Sequence, residues 1–221
     1  MNKQIKNIIF DWGGVLIDLN LEGCISAFEQ AGAVNVRNLL TGTNELGFFR
    51  DYECGNISTP EFRAAIRKYI SQPLTDEEID RMWKMELLTI PEEKLHLLAE
   101  LSKSYRLFLL SNTNELHWEY GSKQAFCHNG KDYKTYFESI FLSYRMHLSK
   151  PDPAIFQVAL QEAELQPEET LFIDDAEVNC QAAASTGIQV AHYTPGTDLG
   201  DLFNLKSATK LFSVLLASKR P

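Results

Sequence analysis

Five short runs of almost unbroken apolar residues constrain the fold of this chain more than any other feature. They span residues 7–10, 106–110, 139–142, 170–173 and 188–192 and read NIIF, RLFLL, SIFL, TLFI and IQVAH. Runs without a sustained apolar–polar alternation are typical of strands whose two faces are both buried. The runs therefore predict a parallel sheet with a layer of helices on each face.

Helical patterns lie between the later runs, as a parallel sheet requires. They cover residues 91–104, 152–165 and 177–186, and a last amphipathic pattern covers residues 201–218. Asp152 followed by Pro153 is a typical helix start, and Gly187 is a typical residue just past a helix end. Strand, helix, strand units imply right-handed crossovers, so the predicted fold class is α/β with a Rossmann-like parallel sheet.

Residues 19–90 break this alternation. We find no strand pattern there, but four helical patterns, at residues 21–30, 44–53, 60–70 and 75–88, separated by glycines and a proline. An all-helical cap inserted after the first strand is the simplest interpretation. The predicted division is an α/β core domain of residues 1–18 and 91–221 with a helical cap domain of residues 19–90.

Composition narrows the class of function. Lys and Arg number 21 against 30 Asp and Glu, a net charge of −9, and no basic cluster favours nucleic acid as a partner. The apolar N-terminal stretch is interrupted by Asp11 and Asp18, and no apolar stretch is long enough to cross a bilayer. The four cysteines are scattered and form no CxxC pair. We expect a soluble, cytoplasmic protein with reduced thiols, no membrane partner and a small-molecule ligand.

Residues that carry chemistry follow four of the five runs. They are Asp11 and Gly13 after the first, Ser111 and Asn112 after the second, Lys150 a short loop after the third, and Asp174 and Asp175 after the fourth. Because ligands bind at the carboxyl ends of parallel strands, we expect these residues to share one edge of the sheet. Carboxylates suit both a nucleophile and Mg²⁺, and a lysine and a hydroxyl suit phosphate oxygens. The set predicts metal-assisted phosphoryl transfer.

The motifs around these residues resemble those of the haloacid dehalogenase (HAD) superfamily with a helical cap. The matching stretches are DWGGVLID at residues 11–18, LLSNTN at 109–114, SKPDPAIF at 149–156 and FIDDAEVN at 172–179. The stretch YECGNISTPEF at residues 52–62 is similar to one in the branch that includes glucose-1-phosphate phosphatases.

The resemblance implies a role for each residue. Asp11 is implied as the nucleophile that forms an aspartyl-phosphate, and Lys150 as a partner of both Asp11 and the phosphate. The implied Mg²⁺ ligands are Asp11, the backbone carbonyl of Gly13, Asp175, and Asp174 directly or through water. The implied phosphate-binding residues are Ser111, Asn112 and Lys150.

Gly13 departs from the family pattern, because related phosphatases usually carry there a second Asp that protonates the leaving group. Three interpretations follow. The enzyme hydrolyses a phosphate whose leaving group needs little protonation, such as a hexose 1-phosphate; or it runs another reaction of the superfamily, of the dehalogenase or phosphonatase type; or it is a weakly catalytic phospho-ligand-binding module. The preferred prediction is a Mg²⁺-dependent phosphatase acting on a small phosphorylated metabolite.

Other polar and aromatic residues receive structural interpretations. We expect His117, His128 and His147 to be surface or partly packed histidines, since no metal-binding spacing joins them. We expect Asp18 to belong to a hinge or a helix cap, and Trp83 to pack inside the cap.

Overall fold

The computed structural model describes residues 4–34, 36–41, 47–126 and 132–203. Of the predicted last helix, residues 204–218 lie outside these ranges, and residues 201–203 belong to the 3-10 helix Leu199–Phe203. His128 also lies outside the described residues. No helix in the described ranges is long and apolar enough to cross a membrane.

The apolar runs form one five-stranded parallel sheet in the order β3-β2-β1-β4-β5. The strands are β1 (Asn7–Phe10), β2 (Arg106–Ser111), β3 (Ser139–Leu142), β4 (Thr170–Asp174) and β5 (Gln189–His192). Each strand agrees with its predicted bounds to within one residue. Phe10 of β1 pairs in register with Leu109 of β2 and Ile173 of β4. Asp11 therefore leaves the middle of the sheet level with Asp174.

Helices cover both faces of the sheet, as predicted. The sequence patterns predicted α6 (Glu92–Leu101), α9 (Pro153–Glu162) and α10 (Glu177–Ser185) but missed α7 (Glu115–Ala125). Ile8 and Phe10 pack in one apolar cluster with α6 and α7, whereas Ile9 packs in a second with α9 and α10. Because neighbouring β1 residues point to opposite faces, both faces must be apolar, which explains the unbroken run NIIF. The Rossmann-like α/β prediction is confirmed.

Five helices lie between β1 and α6 in the part of this stretch that the structure describes, and we call them the helical block. They are α1 (Leu21–Gln30), α2 (Val36–Thr41), α3 (Gly47–Glu53), α4 (Thr59–Arg67) and α5 (Asp76–Lys84). The block has an apolar cluster that includes Phe28, Phe62 and Trp83 and that Leu116 of α7 joins, so the expected packing of Trp83 is confirmed. The sequence pattern missed α2 and extended α5 four residues too far.

The two chain crossings between the helical block and the sheet run side by side. The amide of Asn20 donates to the carbonyl of Glu86 at 2.7 Å, and that of Leu88 donates to the carbonyl of Asp18 at 3.1 Å. The Asp18 carboxylate also lies 3.1 Å from the Lys94 amine. α5 ends at Lys84, after which the chain continues in turns, with the amide of Glu86 donating to the carbonyl of Trp83 at 3.3 Å. Asp18 thus lies in the connection to the helical block, as expected for a hinge.

The stretch YECGNISTPEF holds the helical block to the short helix α8 (Ser143–Met146). Ser143 Oγ lies 2.6 Å from the carbonyl of Glu53, and His147 Nδ1 lies 3.0 Å from the carbonyl of Cys54. Gly55 has φ +65°, and an added Cβ would collide with the backbone of Tyr144. This turn needs a glycine because the two backbones approach so closely.

The N-terminus of α7 makes the second junction with the helical block. Trp83 Nε1 donates to Asn114 Oδ1 at 3.3 Å, and the amide of Leu116 donates to the Tyr52 hydroxyl at 3.2 Å. His117 stacks on Trp83, and its Nε2 lies 3.0 Å from the Trp83 carbonyl. The expectation of a surface or partly packed His117 is wrong, because burial between these elements is nearly complete and lowers its pKa to about 4. His147 is exposed, as expected.

Candidate active site

Asp11, Lys150 and Asp174 form a buried charged cluster at the centre of the sheet's carboxyl edge. The Lys150 amine lies 2.8 Å from Asp11 Oδ1 and 2.6 Å from Asp174 Oδ2. Burial raises the pKa of Asp11 to about 7, an effect that Lys150 opposes and Asp174 reinforces. Burial alone would lower the pKa of Lys150, but the two carboxylates outweigh burial and raise it. With both carboxylates ionised, one cation faces two anions, so the cluster favours a further cation.

Asp174 has both carboxylate oxygens occupied. Oδ1 accepts from the Ala176 amide at 2.8 Å and from Asn179 Nδ2 at 2.9 Å, while Oδ2 accepts from Lys150. Direct contact and contact through water were the two alternatives given above for Asp174 and a metal. These bonds disfavour direct contact and favour a role in positioning Lys150. The sequence interpretation gave Asn179 no role of its own. Asn179 lies in the first turn of α10, just past the paired aspartates, and this position is the sequence feature that indicates its contact with Asp174.

Asp175 lies against the turn that follows Asp11. Gly14 has φ +73°, and a Cβ added there would collide with the Asp175 carboxylate. Burial and the adjacent Asp174 raise the pKa of the half-buried Asp175. The carboxylate oxygens that Asp11, Asp174 and Asp175 offer lie within 4.8 Å of one another. Asp11 and Asp175 offer hard oxygen donors, and Asp174 adds negative charge beside them, a combination that fits Mg²⁺.

The segment after β2 lies beside this cluster and is tied to Lys150. Asn112 Oδ1 accepts from the Lys150 amide at 2.8 Å, and Asn112 Nδ2 donates to the Lys150 carbonyl at 2.9 Å. Ser111 is buried, and its hydroxyl lies 3.3 Å from the Asn112 carbonyl. The Asn112 side chain therefore fixes the Lys150 backbone. Because that side chain is already bonded, the geometry favours the main chain of Asn112 over its side chain as a phosphate contact.

Gly13 lies beneath an apolar side chain. A Cβ at Gly13 would lie 3.3 Å from Leu19 Cδ1, and Leu19 is 44% exposed. The position from which a side chain of residue 13 would reach a ligand is therefore lined by leucine, which can neither donate nor accept a proton.

A family model of haloacid dehalogenase-like hydrolases matches residues 5–187. The chain therefore belongs to the haloacid dehalogenase-like hydrolases, a class that both the parallel sheet and the charged cluster at its edge define. The predicted family and enzyme class are confirmed.

Particular relatives narrow the comparison. The chain is 32% identical over 195 residues to a D-ribitol-5-phosphate phosphatase of Bacteroides thetaiotaomicron, a match that covers 88% of this chain and 95% of the relative. It is 40% identical to a HAD-family enzyme from the same organism, solved in complex with magnesium and inorganic phosphate, with a TM-score of 0.85 and coverage of 90% and 99%. A HAD-like hydrolase from Porphyromonas gingivalis is 33% identical, with a TM-score of 0.83 and coverage of 95% and 98%. These similarities agree with the prediction of a Mg²⁺-dependent phosphatase.

Similarity to dehalogenases is weaker. An L-2-haloacid dehalogenase is 18% identical, with a TM-score of 0.59 and coverage of 90% of this chain and 88% of that one, which shows a shared fold and nothing about the reaction.

Proposed function

We propose that this chain is a Mg²⁺-dependent phosphatase that hydrolyses a small phosphorylated metabolite through an aspartyl-phosphate on Asp11. The observation that carries the proposal is the buried cluster of Asp11, Lys150 and Asp174 with Asp175 beside it. A single lysine among three carboxylates suits a site that takes up a metal ion together with a phosphate dianion.

The reaction has two steps at phosphorus. The Asp11 carboxylate attacks phosphorus, and the ester P–O bond breaks with its electron pair going to the leaving oxygen, which takes up a proton. Water then attacks phosphorus, and the P–O bond to Asp11 breaks with its electron pair returning to the carboxylate. Inorganic phosphate, which carries the oxygen and the protons of the water, is released. Lys150 neutralises charge on Asp11 and on the transferring group, while Ser111 and backbone amides bind the phosphate oxygens.

Asp11, the Gly13 carbonyl and Asp175 would hold Mg²⁺, with Asp174 acting through Lys150 or through water. When bound, Mg²⁺ supplies positive charge that stabilises the phosphate oxygens in the transition state.

The substrate that we propose is a phosphorylated sugar or sugar alcohol. Residue 13 cannot protonate the leaving group, which favours a leaving group that needs little protonation, such as the anomeric oxygen of a hexose 1-phosphate. The name of the B. thetaiotaomicron relative points instead to a pentitol phosphate, whose leaving group is an ordinary alcohol. Both substrates carry several hydroxyl groups beside one phosphate, and both belong in the first assay.

We also propose that residues 19–90 act as a cap domain over the core of residues 1–18 and 91–221. The helical block contacts α7, which follows Ser111 and Asn112, and α8, which precedes Lys150. In this position the block would exclude water from the site and contact the part of the substrate beyond the phosphate.

Phosphate release from a substrate panel, with Mg²⁺ and with a chelator, tests the proposal. The panel pairs hexose 1-phosphates with hexose 6-phosphates and includes ribitol 5-phosphate, acetyl phosphate and p-nitrophenyl phosphate. We expect chelator-sensitive turnover that the Asp11→Asn variant lacks. Preference for 1-phosphates would support the argument that the leaving group needs little protonation. Preference for ribitol 5-phosphate, whose leaving group is an ordinary alcohol, would contradict that argument. No turnover of any compound, or full activity of Asp11→Asn, would contradict the proposal.

A further inference from the structure

Glu86 carries a carboxyl group that the described residues leave without a hydrogen bond. His117 Nε2 lies 3.9 Å from Glu86 Oε2, which is too far for a hydrogen bond. That nitrogen already lies 3.0 Å from the Trp83 carbonyl, to which it must donate. The Glu86 side chain is only 20% exposed, and burial raises its pKa to about 7. A carboxyl in such surroundings is costly unless something bonds to it.

The location of Glu86 connects it to the active site on two sides. Its carbonyl accepts from the amide of Asn20, and the preceding residue, Leu19, packs over Gly13 in the nucleophile turn. On the other side, His117 Nδ1 lies 3.3 Å from Asn114 Nδ2, and Asn114 is two residues past Asn112. Glu86 therefore lies between the chain segment that follows Asp11 and the chain segment that follows Ser111 and Asn112.

We propose that the Glu86 carboxyl determines specificity by hydrogen bonding to a hydroxyl group of the sugar or sugar-alcohol part of the substrate. The inference rests on the proposed phosphatase function. It names a residue that would contact the part of the substrate beyond the phosphate. A hydroxyl donates to a carboxylate and accepts from a carboxylic acid, so the bond forms in either protonation state. His117 does not compete for this carboxyl, since it is neutral at pH 7, and Lys84 pairs instead with Asp80 at 3.8 Å.

Kinetics of Glu86→Ala and Glu86→Gln on three substrates test the inference. The substrates are the preferred hydroxylated phosphate of the panel, butyl phosphate, which has no hydroxyl groups, and p-nitrophenyl phosphate. We expect Glu86→Ala to lower kcat/KM for the hydroxylated substrate about 10- to 100-fold, mostly through a higher KM, as loss of a hydrogen bond to a charged group predicts. Turnover of the other two should stay within about twofold, and Glu86→Gln should recover part of the loss.

Glu162→Gln is the matched control, because Glu162 is an exposed glutamate near the end of α9. An equal fall for all three substrates would overturn the proposal and indicate a structural role. A fall for both alkyl phosphates that spares p-nitrophenyl phosphate would also overturn it, since Glu86 would then supply a proton. So would a wild-type enzyme that does not prefer hydroxylated phosphates over butyl phosphate, or variants that behave like the wild type. Failure of the wild type to hydrolyse any phosphate would instead refute the proposed function itself.

Discussion

At the scale of single residues, one amine serves two buried carboxylates. Lys150 lies within hydrogen-bond distance of Asp11 and Asp174, and all three side chains are almost wholly buried. Removing one member of a buried ion network leaves uncompensated charge in a medium of low polarity, which costs several kcal/mol. The cluster should therefore respond to substitution as a unit.

We predict that Lys150→Met lowers the free energy of unfolding by about 3 kcal/mol at pH 7.5 in the presence of a chelator. Adding Asp174→Asn should recover part of that loss, because the second substitution removes the charge that Lys150 had compensated. Urea unfolding of the two single variants and the double variant measures this coupling. The exposed surface residue Lys123, paired with Glu119, is the control, and Lys123→Met should change stability by less than about 0.5 kcal/mol. Simple additivity of the two core substitutions would show that they do not act as a unit.

The sequence predicted which residues meet at the sheet edge but not how they bond. The strand exits place Asp11, Ser111 and Asp174 together, since parallel strands end at one edge. The two bonds from the Asn112 side chain to Lys150 join residues 38 positions apart and depend on the shape of an irregular loop. The apolar periodicity of the sequence gives no information about such a contact. The same holds for the bonds between Asn179 and Asp174.

At the scale of elements, predictability follows the strength of the apolar pattern. The strands β1, β2 and β4 could be located to within one residue because burial on both faces leaves apolar runs with polar residues at each end. The edge strand β5 is only partly buried, and its short run IQVAH located it equally well. Helix α7 was missed, because the positions it buries include His117, Gly121 and Ser122 alongside Leu116 and Trp118. Gly121 is needed there, since a Cβ would collide with the Trp12 ring. A helix that buries polar and small residues shows little amphipathic periodicity.

The turn at Gly55 is the most sensitive single point in the attachment of the helical block. Gly55→Ala should lower the free energy of unfolding by at least about 2 kcal/mol, because alanine disfavours positive φ and its Cβ would strike the Tyr144 backbone. Gly47→Ala, in α3, is the matched control, since its Cβ would meet nothing closer than Asp51 Oδ2 at 3.8 Å. Thermal and urea denaturation compare the two variants. Equal stability of Gly55→Ala and Gly47→Ala would mean that this close approach is not needed.

At the scale of the whole molecule, we infer that the sheet edge and the crossings to the helical block contribute different parts of one site. The sheet edge supplies the charged cluster that suits phosphate and metal. The crossings between sheet and block supply Leu19 above Gly13 and the carboxyl of Glu86 nearby. We infer that the reaction depends on the sheet edge and that substrate choice depends on the crossings. The apolar runs and the strand-exit residues predicted the first part, whereas the second depends on tertiary contacts that the sequence does not display.

Binding of beryllofluoride in the presence of Mg²⁺ tests the central claim, a nucleophilic Asp11, most directly, because this phosphate analogue attaches to a reactive aspartate whatever the substrate is. Isothermal titration calorimetry on the wild type, on Asp11→Asn and on Asp201→Asn, an exposed control outside the cluster, would measure it. We predict Mg²⁺-dependent binding to the wild type and to Asp201→Asn, and none to Asp11→Asn in a protein that remains folded. Undiminished binding to Asp11→Asn, or none to the wild type at saturating Mg²⁺, would contradict the account.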